Sequence, residues 1–257
     1  MKLFRLFIFC FLYSTYCLTF AQTQIQNADA DFIKIDPYGN IYAVKEALLS
    51  KFSPQGKLLY SFSDHTLGGI ASVDVVNPMK IMLFYKDAGM LVFLNEQLAL
   101  INTPISLYDA NYFTIALASY SASNQIHLYD DVNKYLITLD FNMREISKIL
   151  IPFSAFNPIK MIELEEKSLA FHDPKSGIYL FDAFGTFNKL IPVITSQRVE
   201  VNSELIYYTN HNELLCYYYK IFNTEVLQLP VSNVLQSLLY RNNMILLLQN
   251  GNILIHK

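Results

Sequence analysis

Carboxylates on short apolar runs are the residues best placed for chemistry. Asp74, Glu163 and Glu200 each sit on such a run, and so do Lys34 and Lys160. Acids brought together from separate segments hold a divalent cation, which polarises a substrate or activates water. Lysines among them turn the same acids into ion pairs, and that neutralised arrangement is the expectation for these five residues. Recognised motifs are absent. Gly56-Lys57 lacks the earlier glycine of a phosphate loop, and there is no G-x-G-x-x-G, H-E-x-x-H or G-x-S-x-G. Asp131-Val132-Asn133 begins like a calcium loop. It then has Leu136 where the sharp turn needs glycine and Asn142 where the bidentate glutamate belongs. No catalytic, cofactor or metal residue is therefore assigned.

Histidine, cysteine and tyrosine remain. His65, His172 and His211 fall near turns and links, too far apart for one zinc ion and expected at the surface. Cys216 lies in an apolar run with no cation beside it to favour the thiolate, so a buried, inert thiol is expected. Tyrosine is in excess, with 18 in the chain, and five are concentrated at Tyr207, Tyr208, Tyr217, Tyr218 and Tyr219. One reading packs them between layers with their hydroxyls at an edge. The other makes Tyr207, Tyr208, Tyr217 and Tyr219 a patch for a protein or glycan partner.

The elements that must position these residues repeat. Runs at 41–46, 81–87, 126–131, 169–173, 205–210 and 245–250 end in Glu46, Asp87, Asp131, Asp173, Asn210 and Asn250, spaced 41, 44, 42, 37 and 40 residues apart. Each is preceded by one run and followed by another. The first five then meet a turn and a further run, at 58–62, 98–101, 146–151, 187–191 and 225–229. Short runs rich in Ile, Val, Tyr and Phe and bounded by turn residues read as strands. Four strands every 40 or so residues predict a β-propeller of six four-stranded antiparallel blades rather than a two-sheet sandwich. The first run of each blade lines a central channel, which collects Lys34, Asp74, Lys160, Glu163 and Glu200.

The ends of the chain bear on closure and location. Lys2 and Arg5, an apolar stretch, and Ala21 before Gln22 form the layout of a secretory signal peptide, with cleavage expected near Ala21. Residues 1–21 are then a leader and 22–257 one domain. The formal charge falls from −3 to −5, because two cations leave and no acid does. A basic face for nucleic acid is not expected, nor is a transmembrane anchor in the mature chain. The sixth repeat stops one strand short. The prediction is that residues 24–27 supply the missing outer strand beside residues 252–256.

Asp36-Pro37-Tyr38-Gly39-Asn40-Ile41-Tyr42, followed by Phe52-Ser53-Pro54-Gln55-Gly56-Lys57, resembles a blade of the six-bladed propellers of the NHL and TolB-like type. Later blades keep only the rhythm, as in Asn77-Pro78 and Asn157-Pro158. The resemblance implies six blades and carries no activity, because the fold serves many. Some related propellers hold a metal in the channel, which would make a metal-dependent hydrolase or lyase. The leading expectation is a non-enzymatic propeller, periplasmic or secreted, that binds a protein partner. In one version it is an accessory or plug of an outer-membrane secretion complex. Glycan or peptide binding is the other alternative.

Overall fold

The computed structural model describes residues 23–25, 28–164, 168–202 and 204–256. The leader expected over residues 1–21 lies outside them. The described chain is all β, with 24 strands in six four-stranded antiparallel sheets and no helix. It is a six-bladed β-propeller. The closing strand is β1 (Thr23–Ile25). Blade one is β2 (Phe32–Ile35), β3 (Ile41–Lys45), β4 (Leu48–Phe52) and β5 (Leu58–Ser63). Blade two is β6 (Ser72–Asp74), β7 (Ile81–Tyr85), β8 (Met90–Leu94) and β9 (Ile105–Ser106). Blade three is β10 (Ile115–Tyr120), β11 (Gln125–Asp130), β12 (Tyr135–Asp140) and β13 (Glu145–Leu150). Blade four is β14 (Lys160–Glu163), β15 (Leu169–Asp173), β16 (Gly177–Phe181) and β17 (Phe187–Ile191). Blade five is β18 (Val199–Val201), β19 (Leu205–Asn210), β20 (Glu213–Tyr218) and β21 (Asn223–Gln228). Blade six is β22 (Val234–Tyr240), β23 (Asn243–Leu248) and β24 (Ile253–His256), completed by β1.

Burial follows from this layering. A middle strand is covered by a neighbouring blade on both faces, so β7 is buried at all five positions and β8 at four of five. The outer strand has solvent beyond it, and β21 is exposed along its length. Six apolar clusters fill the six gaps between blades, and no single central core exists. Tyr42 and Leu49 of blade one meet Leu83 and Tyr85 of blade two, for example. Phe171 and Phe181 of blade four meet Tyr129 of blade three around Phe156.

The outer hairpins share one device. Asn95, Asp140 and Asp182 each accept from the backbone N–H groups two and four residues on. The Ser53 hydroxyl does the same in blade one. Such side chains replace the missing backbone partner and fix the tight turn. Blade two departs from expectation beyond its turn. The outer run predicted at 98–101 pairs only through Leu100 opposite Leu94 and the Ile101 N–H to Phe93, and the regular strand is β9. Leu98 is left-handed at φ 58° as Gly56, Met143 and Gly185 are at the same turn position of blades one, three and four, so the turn itself is shared, but beyond it Pro104 offers no N–H to the ladder. Strand pairing therefore stops and resumes.

Ring closure takes the predicted form over the described residues. Thr23, Gln24 and Ile25 pair antiparallel with Ile255, Leu254 and Ile253. Gln26 and Asn27, part of the same expectation, lie outside the described residues. Ile25 is buried against Ile253, Ile255 and Phe52, so it packs blade six onto blade one. Gly56 admits it closely: at φ +82°, a Cβ there would meet Ile25 at 2.9 Å. Replacing Ile25 by alanine should cost about 2–4 kcal/mol in urea unfolding, whereas Thr23→Ala should stay within about 0.5 kcal/mol. Equal, negligible effects from both would show that β1 does not hold the ring.

Candidate functional site

The inner strands β2, β6, β10, β14, β18 and β22 face the channel. Their polar side chains are spent mainly on joining one blade to the next. Glu200 of β18 is buried. Its Oε1 accepts from Lys160 Nζ at 2.7 Å and from Gln236 Nε2 at 3.0 Å, and its Oε2 lies 3.6 Å from Lys34 Nζ. One carboxylate thereby ties blades one, four, five and six. Gln236 extends the link by accepting from the Ile33 N–H and donating to the Ile33 carbonyl. Lys160 also donates to the Val199 carbonyl. Asp74 accepts from the Tyr120 N–H at 3.1 Å, and Glu163 from the Ala122 N–H at 3.1 Å. Blades one and two are joined farther out, where buried Lys51 donates to the Glu96 carbonyl.

The five residues expected in the channel lie on inner strands and are of two kinds, with Lys34, Asp74 and Lys160 lining the cavity at its mouth. Glu200, Lys160 and Lys34 form one ion-paired group. Asp74 and Glu163 are held separately by backbone of blade three. Among the described residues, no group of three or more His, Cys, Asp or Glu is arranged to hold a metal ion.

The protonation states follow from these contacts. Burial alone raises the Glu200 carboxyl, but Lys160, Lys34 and Gln236 overcome it and bring the group down to about 2. Burial pushes the Lys160 ammonium below its ordinary value, and Glu200 opposes that. Asp74 is raised by burial to about 6, against the pull of Lys34, the Tyr120 N–H and Lys160.

His172 departs from the surface placement expected of it. It is buried within β15, where paired strands on both sides and the 194–197 link cover it. Its Nε2 donates to the Thr195 carbonyl at 3.0 Å, which leaves Nδ1 buried with no hydrogen-bond partner. Burial lowers its pKa. His65 and His211 are exposed. Cys216 is buried, and burial pushes its thiol up to about 11.

The blade-five tyrosines divide between two gaps. Tyr208, Tyr217 and Tyr219 pack against blade four, and Tyr207 against blade six. The Tyr219 hydroxyl donates to the Asn202 carbonyl, and that of Tyr207 accepts from the Leu239 N–H. None of the four is exposed. An alternating strand points successive side chains at opposite blades, so neighbouring tyrosines in sequence cannot form one outward patch.

One pair of exposed aromatics lies at the end of the ring where inner strands begin and second strands finish. A cavity of about 550 Å³ opens there, lined by Lys34, Asp74, Lys86, Asp131, Lys160 and Arg198 among others. A second hollow of about 310 Å³ adjoins it and shares Lys86, Ala116 and Asp131. Tyr108 and Phe113, which are 43% and 64% exposed, stack at 6.2 Å beside that hollow. Sequence reasoning passed over them. Their signal was available: the link between blades two and three carries Leu107, Tyr108, Tyr112 and Phe113, where a link is ordinarily polar.

No protein-family model matches the chain, and no curated protein is similar to it in sequence. Solved structures share its fold. A catalytically inactive virginiamycin B lyase from Staphylococcus aureus with quinupristin is 10% identical, with a TM-score of 0.63 over 93% of this chain and 99% of that one. The Neurospora crassa Pan2 WD40 domain is 10% identical, with a TM-score of 0.64 over 88% of each chain. BBS1N in complex with ARL6DN is 14% identical, with a TM-score of 0.56 over 87% of this chain and 76% of that one. At such identities the likeness establishes the propeller fold alone.

Asp74 supplies a pH test. Between about pH 4 and 6 the native chain keeps a proton that the unfolded chain has released, so this group's contribution to stability falls as pH rises through that window. Asp74→Asn cannot titrate. Its stability relative to the parent should therefore grow between pH 4 and 7, on the order of 1–3 kcal/mol. A difference independent of pH, measured by urea unfolding at both values, would contradict the burial-raised carboxyl.

Proposed function

We propose that this protein is a non-enzymatic, protein-binding propeller that engages its partner with the end of the ring bearing the channel-mouth cavity. The observation that carries this reading is that exposed apolar side chains at that mouth adjoin a cavity and a second hollow, with Ile159 lining the first and Tyr108 and Phe113 the second. Tyr108, Phe113, Val132, Ile159 and Ile194 belong to links and turns of successive blades at the same end, and four of them are more than half exposed. Exposed apolar side chains grouped around a cavity and rimmed by charge mark interaction sites. The opposite end also exposes apolar side chains, namely Tyr38, Val76, Met79, Phe184, Ile221 and Phe222 at turns of blades one, two, four and five, and what sets the mouth apart is the cavity and hollow beside its own. The bonds already made by Glu200, Asp74 and Glu163 favour a structural channel over a catalytic one. Export is part of the proposal. The leader-like residues 1–21 support removal near Ala21 and a periplasmic or secreted accessory role, one version being a component of an outer-membrane secretion complex. Among the described residues no helix is long and apolar enough to cross a membrane.

Affinity purification of the full chain from gently solubilised envelopes of its native cells tests this. A Phe113→Ser, Ile159→Ser double variant should lose a stoichiometric protein partner that the parent retains, with unchanged thermal stability. Tyr38→Ser with Phe184→Ser should keep it. A parent with no stoichiometric partner, or equal retention by both variants, would refute the reading.

A further inference from the structure

The channel mouth and the adjoining aromatic hollow share a wall, and their chemistries differ. The mouth presents Lys34, Lys86, Lys160 and Arg198 against Asp74 and Asp131. Glu200, behind it, is committed to Lys160 and Lys34. Lys86 and Arg198 are exposed, and neither forms an ion pair among the described residues. The Arg198 guanidinium lies over the Phe32 ring at 4.6 Å. Stacking engages the face of a guanidinium and leaves its in-plane N–H donors available, which suits a carboxylate. Beside this, Tyr108 and Phe113 offer a stacked apolar platform.

We propose that the two hollows form one composite site for a peptide segment of the protein partner: an acidic side chain enters the channel mouth onto Lys86 and Arg198, and an apolar side chain packs on Tyr108 and Phe113. This rests on the protein-binding reading above and adds the chemistry of the partner. Charge complementarity selects the occupant, because two cations outside any ion pair among the described residues flank a cavity large enough for a side chain with its neighbouring backbone. The apolar half supplies buried area that an ion pair at an exposed mouth would not.

A random 12-residue peptide display library selected on the full-length protein is the test. Enriched peptides should carry Asp or Glu close to an aromatic or aliphatic residue. Lys86→Glu with Arg198→Glu should weaken their binding at least tenfold, by about 1.4 kcal/mol or more. Phe113→Ser should weaken it severalfold, with circular dichroism melting unchanged in both variants. Raising salt should weaken the parent as well. Enrichment without acidic residues, no enrichment, or binding indifferent to the charge reversal would each overturn the proposal. So would binding of an acidic oligosaccharide such as oligogalacturonate in place of peptides. If the natural partner is lost with Phe113→Ser, Ile159→Ser but retained by Lys86→Glu, Arg198→Glu, this proposal fails while the protein-binding face stands.

Discussion

The buried carboxylate of Glu200 is the contact on which the channel depends. A propeller has no shared apolar core, because each blade packs its apolar faces only against its two neighbours and the centre is a gap. The outer parts of the blades are joined by apolar clusters, but the inner strands approach the gap where water competes for every polar group. Glu200 resolves this for four of the six blades by accepting from Lys160 and Gln236 and facing Lys34, so that those four share one anion. Gln236 then fixes its neighbour through both hydrogen bonds to Ile33. A buried charge is tolerated only when paired and hydrogen-bonded, and Glu200 is both. The cost is that its carboxylate is not free for chemistry.

That commitment divides the channel. The side carrying Glu200 is neutralised, while at the mouth Lys86 and Arg198 form no ion pair among the described residues, though Glu200 and Asp31 attract Arg198 from farther off. The ring is asymmetric in a second way. The link from blade two to blade three folds Tyr108 and Phe113 outward next to the mouth, while the tyrosines of blade five are used up in packing. A rigid frame with one cavity-bearing, apolar-rimmed end follows from these two facts, and it is the physical content of the proposed binding role.

Much of the frame was legible in the sequence because strand rhythm and turn chemistry are local. The acids and amides ending the second strands mark the period, and Asp173 shows its reason, since its carboxylate accepts from the Lys175 N–H of the turn and the Asn157 N–H of the preceding link. The motif turn after β2 is equally local: the Asp36 carboxylate accepts from the Tyr38 and Asn40 backbone, the Asn40 side chain and the Tyr42 hydroxyl, and Gly39 adopts φ +86° beneath the Tyr240 ring. The closing strand was legible as well, since a missing outer strand and a spare N-terminal segment predict one another. What escaped was set by tertiary neighbours. The composition of 98–101 suits a strand, but the Pro104 break beyond the turn interrupts its pairing. His172 lies near a turn in sequence, and its burial comes from strand pairing on both sides and the 194–197 link packed over it. The five channel residues were legible as a set, but their division into an ion-paired trio and two backbone-held acids depends on the angular order of the blades.

The most direct test of the central claim is a double-mutant cycle between Glu200 and Lys160 in the full chain, using Glu200→Gln, Lys160→Met and the combination, followed by urea unfolding at neutral pH. If this carboxylate holds the inner ring, Glu200→Gln alone should cost about 3–5 kcal/mol. The double variant should recover much of that loss, giving a coupling energy of about 2 kcal/mol or more. A Glu200→Gln variant as stable as the parent, with coupling below about 0.5 kcal/mol, would show that Glu200 is not needed to close the ring. Its carboxylate would then be available for another role.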